Sequence, residues 1–414
     1  MLPWFKMAAL IFTILPRFIV NPLFWLVVLL IYNQYRRLNR LQEDMFGLEF
    51  TSVGKQVWQA VLFGLAGGVV GSFLMTSVGV SLSQAGIMYV WPVAILLMLI
   101  NPRFMCFAYA AGLISLAHLV FGFPDLEIPQ LLGLVAVLHM VESILIYLTG
   151  HLDPIPVIIK NPAGQLIGGF NLQKFCPLPV VIMLTVALDV PELTSDLIRM
   201  PDWWPLIKPQ EMAAAGQELV YSLFLVTAAL GYSDLALTCT PRQKAGRTAA
   251  YLALYSLLLL AAAIGASYYA PLLPAAALFS PLGHELVVYL GGRRELKGRA
   301  IFTPPPRGVM VLAVVPGGLA AKYGLVPWEV ILKLGGGEVF FPADLTLDPY
   351  HGPPWELITL QPVGRGFKKR YITIWESAGD LGIIPVPRGR GGPYMKIQKQ
   401  GPLLRLFRRL RGRK

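Results

Sequence analysis

"GVMVLAVVPGGLAAKYGLVPWEVILKLGGGEV", residues 308–339, breaks the rhythm of a chain that is otherwise dominated by long apolar runs. Val309 to Val315 read as a strand, Pro316 and Gly317 as a turn, Leu319 to Tyr323 as a short helix, and Glu329 to Leu334 as a second strand closed by Gly335 to Gly337. Further on, "WELITLQP" and "KRYITIW", joined by "VGRGFK", predict a hairpin with Ile358, Leu360, Ile372 and Ile374 on the apolar face and Thr359 and Thr373 on the other. A small α+β domain is therefore expected over residues 296–378.

What precedes it has a different solvent. Of the 414 residues 55% are hydrophobic and 14% charged, and the mean hydropathy is +0.60; soluble domains carry about 25% charge. Apolar runs near the length of a bilayer crossing lie at 18–34, 57–80, 87–101, 104–122, 131–149, 177–190, 218–237 and 249–270, with a weaker ninth at 272–291. They predict a polytopic α-helical membrane domain of eight or nine spans over residues 1–295. Lys and Arg favour cytoplasmic loops. Arg36, Arg37, Arg40 and Lys55, then Arg103, then Lys160 and Lys174, then Arg242, Lys244 and Arg247 fall in alternate loops. This puts the loop after span eight outside, so a ninth crossing or a re-entrant segment is needed to bring the strongly basic C-terminal part into the cytoplasm, where it is expected. Lys6 and the apolar stretch behind it resemble a signal peptide without a cleavage site, so this segment is expected to stay attached.

The polar residues inside the apolar runs are few. "SPLGHELVVYL", residues 280–290, sets His284 beside Glu285, the beginning of an HExxH zinc motif, but Val288 stands where the second histidine belongs. His139 and Glu142, three apart on one helix face, are conceivable remote ligands; Asp153 sits at a membrane boundary, and His118 and His151 stand alone. Hydrogen bonding between helices accounts for such groups, and no metal, no cofactor and no catalytic residue is expected. There is no phosphate loop, no Cys–His pair at a known spacing and no GxSxG turn. Cys106, Cys176 and Cys239 read as small hydrophobes. "FGLAGGVVG" supplies small residues for close helix packing.

After Asp380 the chain has no acids and ten bases: Arg388, Arg390, Lys396, Lys399, Arg405, Arg408, Arg409, Arg411, Arg413 and Lys414. Leu403, Leu406, Phe407 and Leu410 recur at helical spacing among them. A cationic amphipathic segment over 379–414 suits an anionic leaflet, where each cation contributes about 1 kcal/mol. Only Tyr394 and Phe407 are available for stacking, so nucleic acid is not an expected partner.

The stretch "VVPGGLAAKYGLVPWEVILKLGGGEV" resembles a bacterial PDZ domain. That resemblance implies capture of an extended or C-terminal peptide by β-augmentation, with Arg307, Gly308, Val309 and Met310 as carboxylate loop and groove strand and Leu312 lining the groove. The sequence departs from the family at Trp328, where glycine is usual, and at 342–354, where Pro342, Pro349, Pro353 and Pro354 oppose the groove helix. With "NPLFWLVVLLIYNQYRRLNRLQEDMFG", "LHMVESILIYLTG", "GQLIGGFNLQKFCPLPV", "GYSDLALTCTPRQKA" and "SPLGHELVVYLGGRRE", most of the chain resembles the MinJ family of polytopic PDZ proteins. The resemblance implies a non-catalytic adaptor in division-site selection, at septum and poles, with a DivIVA-like polar scaffold and a MinD-like inhibitor as partners. A degenerate intramembrane metalloprotease and a transporter or sensor are the competing readings. The first would bind zinc; the second would line a path with polar residues or carry an internal repeat.

Overall fold

The computed structural model describes residues 3–47, 50–83, 85–161, 164–189, 200–209, 217–347, 352–364, 366–376, 380–389 and 394–395. Helices α1 (Trp4–Ile14), α2 (Pro22–Phe46), α3 (Val53–Val78), α4 (Ile87–Ile100), α5 (Phe107–Phe121) and α6 (Ile128–Thr149) are followed by strands β1 (Ile155–Lys160), β2 (Leu166–Asp189) and β3 (Gln217–Ala236). Helices α7 (Pro241–Tyr268) and α8 (Leu273–Lys297) then lead into the C-terminal region. Local chemistry sets the boundaries. Asn21 caps α2 by accepting from the Leu23 N–H with Pro22 at the first helical position, and Thr240 and Gln243 form a reciprocal capping box on α7.

Among the described residues, four helices are long and apolar enough to cross a membrane: Val53–Val78, Ile128–Thr149, Pro241–Tyr268 and Ala270–Lys297. A fifth is added if Trp4–Val20 and Pro22–Phe46, bent by 64° at their junction, make one span. Helix α6 lies at the centre, buried on nearly every side, whereas Leu29 and Leu30 of α2, Leu96 of α4 and Leu254 and Leu258 of α7 are exposed as lipid-facing leucines would be.

This is fewer than the eight or nine expected spans. Helices α4 and α5 are 14 and 15 residues long, too short to cross unaided. The runs at 177–190 and 218–237 are not helices at all; they form a long antiparallel hairpin, in continuous register from Phe170↔Ala236 to Asp189↔Gln217. Pro177 and Pro179, two apart, would together remove two helix hydrogen bonds and crowd the preceding turn, and apolar length alone does not separate a buried strand from a helix.

An open sheet edge against apolar helices leaves donors that water cannot satisfy, and β2 disposes of several of them in turn. Strand β1 pairs with it only as far as Asn171. Beyond that point the Phe175 N–H donates to the Tyr35 hydroxyl at 3.1 Å, Pro177 and Pro179 have no N–H, and the Val181 N–H donates to Ser72 Oγ at 2.8 Å. The Thr185 N–H reaches Ser83 Oγ at 2.7 Å, and Leu82 N–H donates to the Met183 carbonyl at 2.8 Å. Helix α3 lies directly on this edge through the glycines of "FGLAGGVVG". A Cβ on Gly64 would stand 2.0 Å from the Pro177 carbonyl oxygen, and one on Gly68 2.1 Å from that of Pro179. The small residues do serve close packing; their partner is a strand.

The C-terminal region is rich in sheet. Strands β4 (Val309–Val314), β5 (Val330–Leu334), β6 (Gly337–Glu338), β7 (Trp355–Val363), β8 (Gly366–Ile374) and β9 (Ile383–Pro385), with helix α9 (Leu319–Lys322), follow the expected order of strand, turn, helix, strand and hairpin. The sheet runs β8-β7-β5-β4-β9, with β6 on β5. Strand β9 extends the domain past the expected boundary at residue 378. Pro342–Leu345 form only one 3-10 turn.

This region is not on a loose tether. Phe302 is fully buried, its carbonyl accepts from the Gly168 N–H at 2.9 Å, and the Ile301 N–H donates to the Leu237 carbonyl at 2.9 Å. Phe302, Leu312, Ala313, Ile384 and Val386 belong to the same apolar core as α6 and α7. At the end of α8, buried Glu295 accepts from the N–H groups of Leu237 and Thr238, both at 2.8 Å, which fixes the helix to the end of β3.

Candidate functional site

The two terminal strands of the C-terminal sheet are where a partner could add. The expected groove strand does not qualify: β4 is bonded on both edges, to β5 through Val309 and Met310 and to β9 through Val311, Ala313 and Val314. The Val386 N–H also donates to the Met310 carbonyl at 2.8 Å. Gly308 takes φ +79 and packs on the Ile331 carbonyl, Leu312 is buried in the shared core, and Arg307 is exposed. Arg307, Gly308, Val309, Met310 and Leu312 therefore build the domain interior and its entry turn, with no free backbone edge among them. A single sequence cannot show that residues 383–385 return to cover the strand that residues 309–314 form.

Trp328, where the PDZ resemblance leads one to expect glycine, has φ +73. The left-handed conformation that glycine normally serves is present, held here by a bulky residue. Its ring stacks on Phe302 with centroids 4.8 Å apart and planes 12° from parallel, and Phe302 in turn meets Phe170 of β2 edge-on at 5.4 Å. The departure from glycine is what seals the sheet domain onto the hairpin.

In the outer hairpin β8 keeps its expected faces, with Ile372 and Ile374 inside and Thr373 outside, whereas β7 is shifted by one residue. Trp355, Leu357 and Thr359 of β7 and Ile372 and Ile374 of β8 point into the core, with Leu357 opposite Ile372. Ile358 and Leu360 lie on the other face, opposite Tyr371 and Lys369. Thr359 is inside because its hydroxyl donates to the fully buried Glu329 carboxylate, which also accepts from the Val326 N–H at 3.1 Å. A side-chain period of two carries every neighbour with it. Phe367, Tyr371 and Trp375, with relative exposures of 60, 69 and 68%, consequently form an aromatic row on the outer side. Lys368 and Arg370 point the other way from the same strand, and Arg370 donates to the Tyr323 carbonyl at 2.7 Å. Beside the row, the Glu376 carboxylate accepts from Lys322 and from the Tyr323 hydroxyl, which together hold it down to about 2.

In the helical part, the histidines converge. His284 of α8 and His139 of α6 both turn their Nε2 atoms to Cys106 Sγ, at 3.4 and 3.0 Å. Cys106 stands at the N-cap of α5. Those residues are the ones among the described set that can hold a metal. Glu285 turns away, accepting from the Tyr109 hydroxyl at 2.7 Å and pairing with Arg103 at 3.1 Å. Val288 is partly exposed, and Glu142 lines a small cavity with Lys174, Cys176 and Tyr232. His118 bonds the Pro124 carbonyl at 2.7 Å, and Asp153 pairs with Lys174 at 3.5 Å; neither joins the cluster.

The tail cations Arg405, Arg408, Arg409, Arg411, Arg413 and Lys414 lie outside the described residues. Sequence reasoning had named His139 and His284 but not Cys106 or the aromatic row, whose only signal was the recurrence of aromatics at 367, 371 and 375. The chain matches no protein-family model, no curated protein and no solved structure.

Proposed function

We propose that this protein is a non-catalytic membrane adaptor of division-site selection, carrying a PDZ-like domain that faces the cytoplasm. It joins a DivIVA-like polar scaffold to a MinD-like inhibitor at septa and poles. The observation that carries this reading is the exposed row of Phe367, Tyr371 and Trp375, flanked by half-buried Ile358 and Leu360, on an edge hairpin. Exposed apolar patches of this kind on soluble domains mark protein contacts. Strand β8 also ends the sheet, so its backbone can take a further strand, and its lysines guard it against indiscriminate pairing.

Two further features support the same reading. The domain shares its core with the membrane part, so a partner held on β8 has a fixed position over the bilayer. A zinc-protease reading requires the glutamate beside His284 to be available as a base, whereas Glu285 is occupied by Tyr109 and Arg103.

The test is a fluorescent full-length fusion followed through division, beside the triple variant Phe367→Ser, Tyr371→Ser, Trp375→Ser. Septal and polar enrichment of the parent and a uniform membrane signal for the variant, at equal thermal stability, are expected. Uniform signal for the parent, with septum placement unchanged on deletion, would sink the division reading. Truncation after Arg294 is a poorer comparison, because it removes Glu295 and Phe302, which the membrane part itself uses.

A further inference from the structure

We infer that Cys106 Sγ, His139 Nε2 and His284 Nε2 form a binding site for a zinc-class divalent ion that clamps α5, α6 and α8 together. This departs from the expectation that no metal is held, and it is independent of the adaptor reading.

The first argument is distance. Zn–S and Zn–N bonds of about 2.3 and 2.0–2.1 Å at a tetrahedral angle put sulfur and nitrogen about 3.5 Å apart. The observed Sγ···Nε2 separations are 3.0 and 3.4 Å, and all the ligand atoms lie within 4.8 Å of one another. A small outward movement of His139 brings its separation from the sulfur to that spacing.

The second is tautomer. His139 Nδ1 lies 2.8 Å from the Val135 carbonyl, which can only accept. The ring proton is therefore on Nδ1, and Nε2 presents its lone pair to the cluster, as metal-bound histidines with a carbonyl behind them do. His284 is held differently. Its Nδ1 has no partner among the described residues, and its ring is boxed edge-on by Tyr109, His139 and Tyr255, with centroids at 5.1, 5.2 and 5.7 Å.

The third is that other contacts already fix the scaffold. Ser280 Oγ donates to the Ala108 carbonyl and the Tyr255 hydroxyl to the Ser280 carbonyl, both at 2.8 Å. Gly112 of α5 sits so close to α8 that a Cβ would stand 2.3 Å from Pro281 Cδ. The helices thus bring together donors 33 and 178 residues apart without needing the donors themselves.

The donor set selects the ion: one thiolate and two imidazoles suit zinc and its neighbours and exclude magnesium and calcium. Among the described residues no fourth His, Cys, Asp or Glu joins the group, which leaves one position for water. Glu285, held by Tyr109 and Arg103, stays beside the site without being aimed at it. Three protein ligands and an open position are the pattern of catalytic zinc. With Glu285 engaged, however, no base is aimed at that position, so the ion is assigned a structural role on a helix that runs on to Glu295 and the sheet domain.

The experiment uses full-length protein purified in mild detergent without chelators, with metals counted by mass spectrometry. About one zinc per chain is expected, falling more than tenfold in Cys106→Ser and in His284→Ala. Because a folding defect in either variant would mimic loss of the site, the parent is also stripped and titrated with cobalt(II). Saturation at one equivalent, with tetrahedral visible bands and a thiolate charge-transfer band absent from Cys106→Ser, supports the site. Parent protein that carries no zinc and takes up no cobalt would overturn it, leaving a hydrogen-bonded thiol and imidazole group. Zinc retained in both variants would overturn it as well.

Discussion

The long hairpin beside the helices and the short hairpin of the C-terminal sheet end in opposite ways. Every backbone donor traced along the outer edge of β2 from Phe175 to Val181 is either bonded to a helix side chain or absent because the residue is proline. Among the described residues the outer edge of β8 has no such cover before its end, where the Trp375 N–H donates to the Tyr323 hydroxyl at 3.1 Å; it carries Lys368, Lys369 and exposed aromatics instead. The difference is one of solvent. Where no water is available an unpaired N–H is prohibitively costly, so the edge must be closed by the protein itself. In water the edge is tolerated, and charge together with exposure leaves it ready for a chosen partner.

The largest effect is expected where closure depends on close approach. Gly64→Ala and Gly68→Ala place a methyl 2.0 and 2.1 Å from backbone carbonyl oxygens of β2, where no side-chain rotation can relieve the clash. Each should cost on the order of 4 kcal/mol or prevent folding. Gly54→Ala, in the first turn of the same helix with nothing within 4 Å, should be neutral or stabilising. Thermal midpoints in detergent read the contrast, and equal midpoints for Gly54 and Gly68 variants would mean that α3 does not lie on β2.

Ser72→Ala tests the chemistry of the edge apart from its shape. It removes the oxygen that accepts from the Val181 N–H at 2.8 Å and leaves that donor buried, at a cost of about 1–3 kcal/mol. Serine-to-alanine changes on the exposed side of the C-terminal sheet should move the midpoint by less than about 0.5 kcal/mol. Hydrogen exchange at Val181 gives a second reading, since loss of the acceptor should raise its rate with little change at Val180.

At the join between the two sheets the expected order of variants is inverted. Trp328 combines a positive φ with a stack on Phe302. Trp328→Gly loses the stack but relaxes the backbone; Trp328→Ala loses the stack and keeps the strain. The glycine variant should therefore be the more stable of the two, by about 1 kcal/mol, against the usual order in regular structure. Alanine ranking above glycine would show that the left-handed backbone at this position carries no strain for a residue with a Cβ.

The same contrast explains what the sequence made legible. Residues 308–339 could be read element by element because their turns carry glycines with positive φ at Gly317, Gly324, Gly335 and Gly336, which cut short β-branched runs into strands of five or six residues. Residues 166–189 and 217–236 are apolar on both faces, so the alternation that announces a strand is erased, and Pro177 with Pro179 were the only local cue. Membership of the core was misread by one residue in β7 because Thr359 is drawn inside by Glu329, a partner thirty positions away. Cys106 passed for a hydrophobe for a similar reason: its partners are on α6 and α8, and the search for a second histidine one turn beyond His284 looked along the wrong helix. Spacing rules reach along an element; this cluster is made between elements.

The smallest effect is expected at the exposed end of the comparison. Glu376, beside the aromatic row, is clipped by Lys322 and the Tyr323 hydroxyl, and its carboxyl falls from 4.5 to about 2. A folded-state value below the unfolded one means that the clip stabilises the domain above pH 4.5 and is lost as the pH falls toward 2. Both partners are open to water, so screening keeps the contribution small. Acid titration of the parent against Glu376→Gln should give curves that differ only between those limits, with the parent losing its advantage as Glu376 protonates. Added salt should narrow the gap. Curves that stay parallel through that window would mean the clip is not formed, and with it would go the flank in which the Tyr323 hydroxyl also holds the Trp375 N–H. The buried closures at Ser72 and Gly68 hold no carboxylate and should be indifferent to the same titration, which separates the exposed edge from the closed one by pH alone.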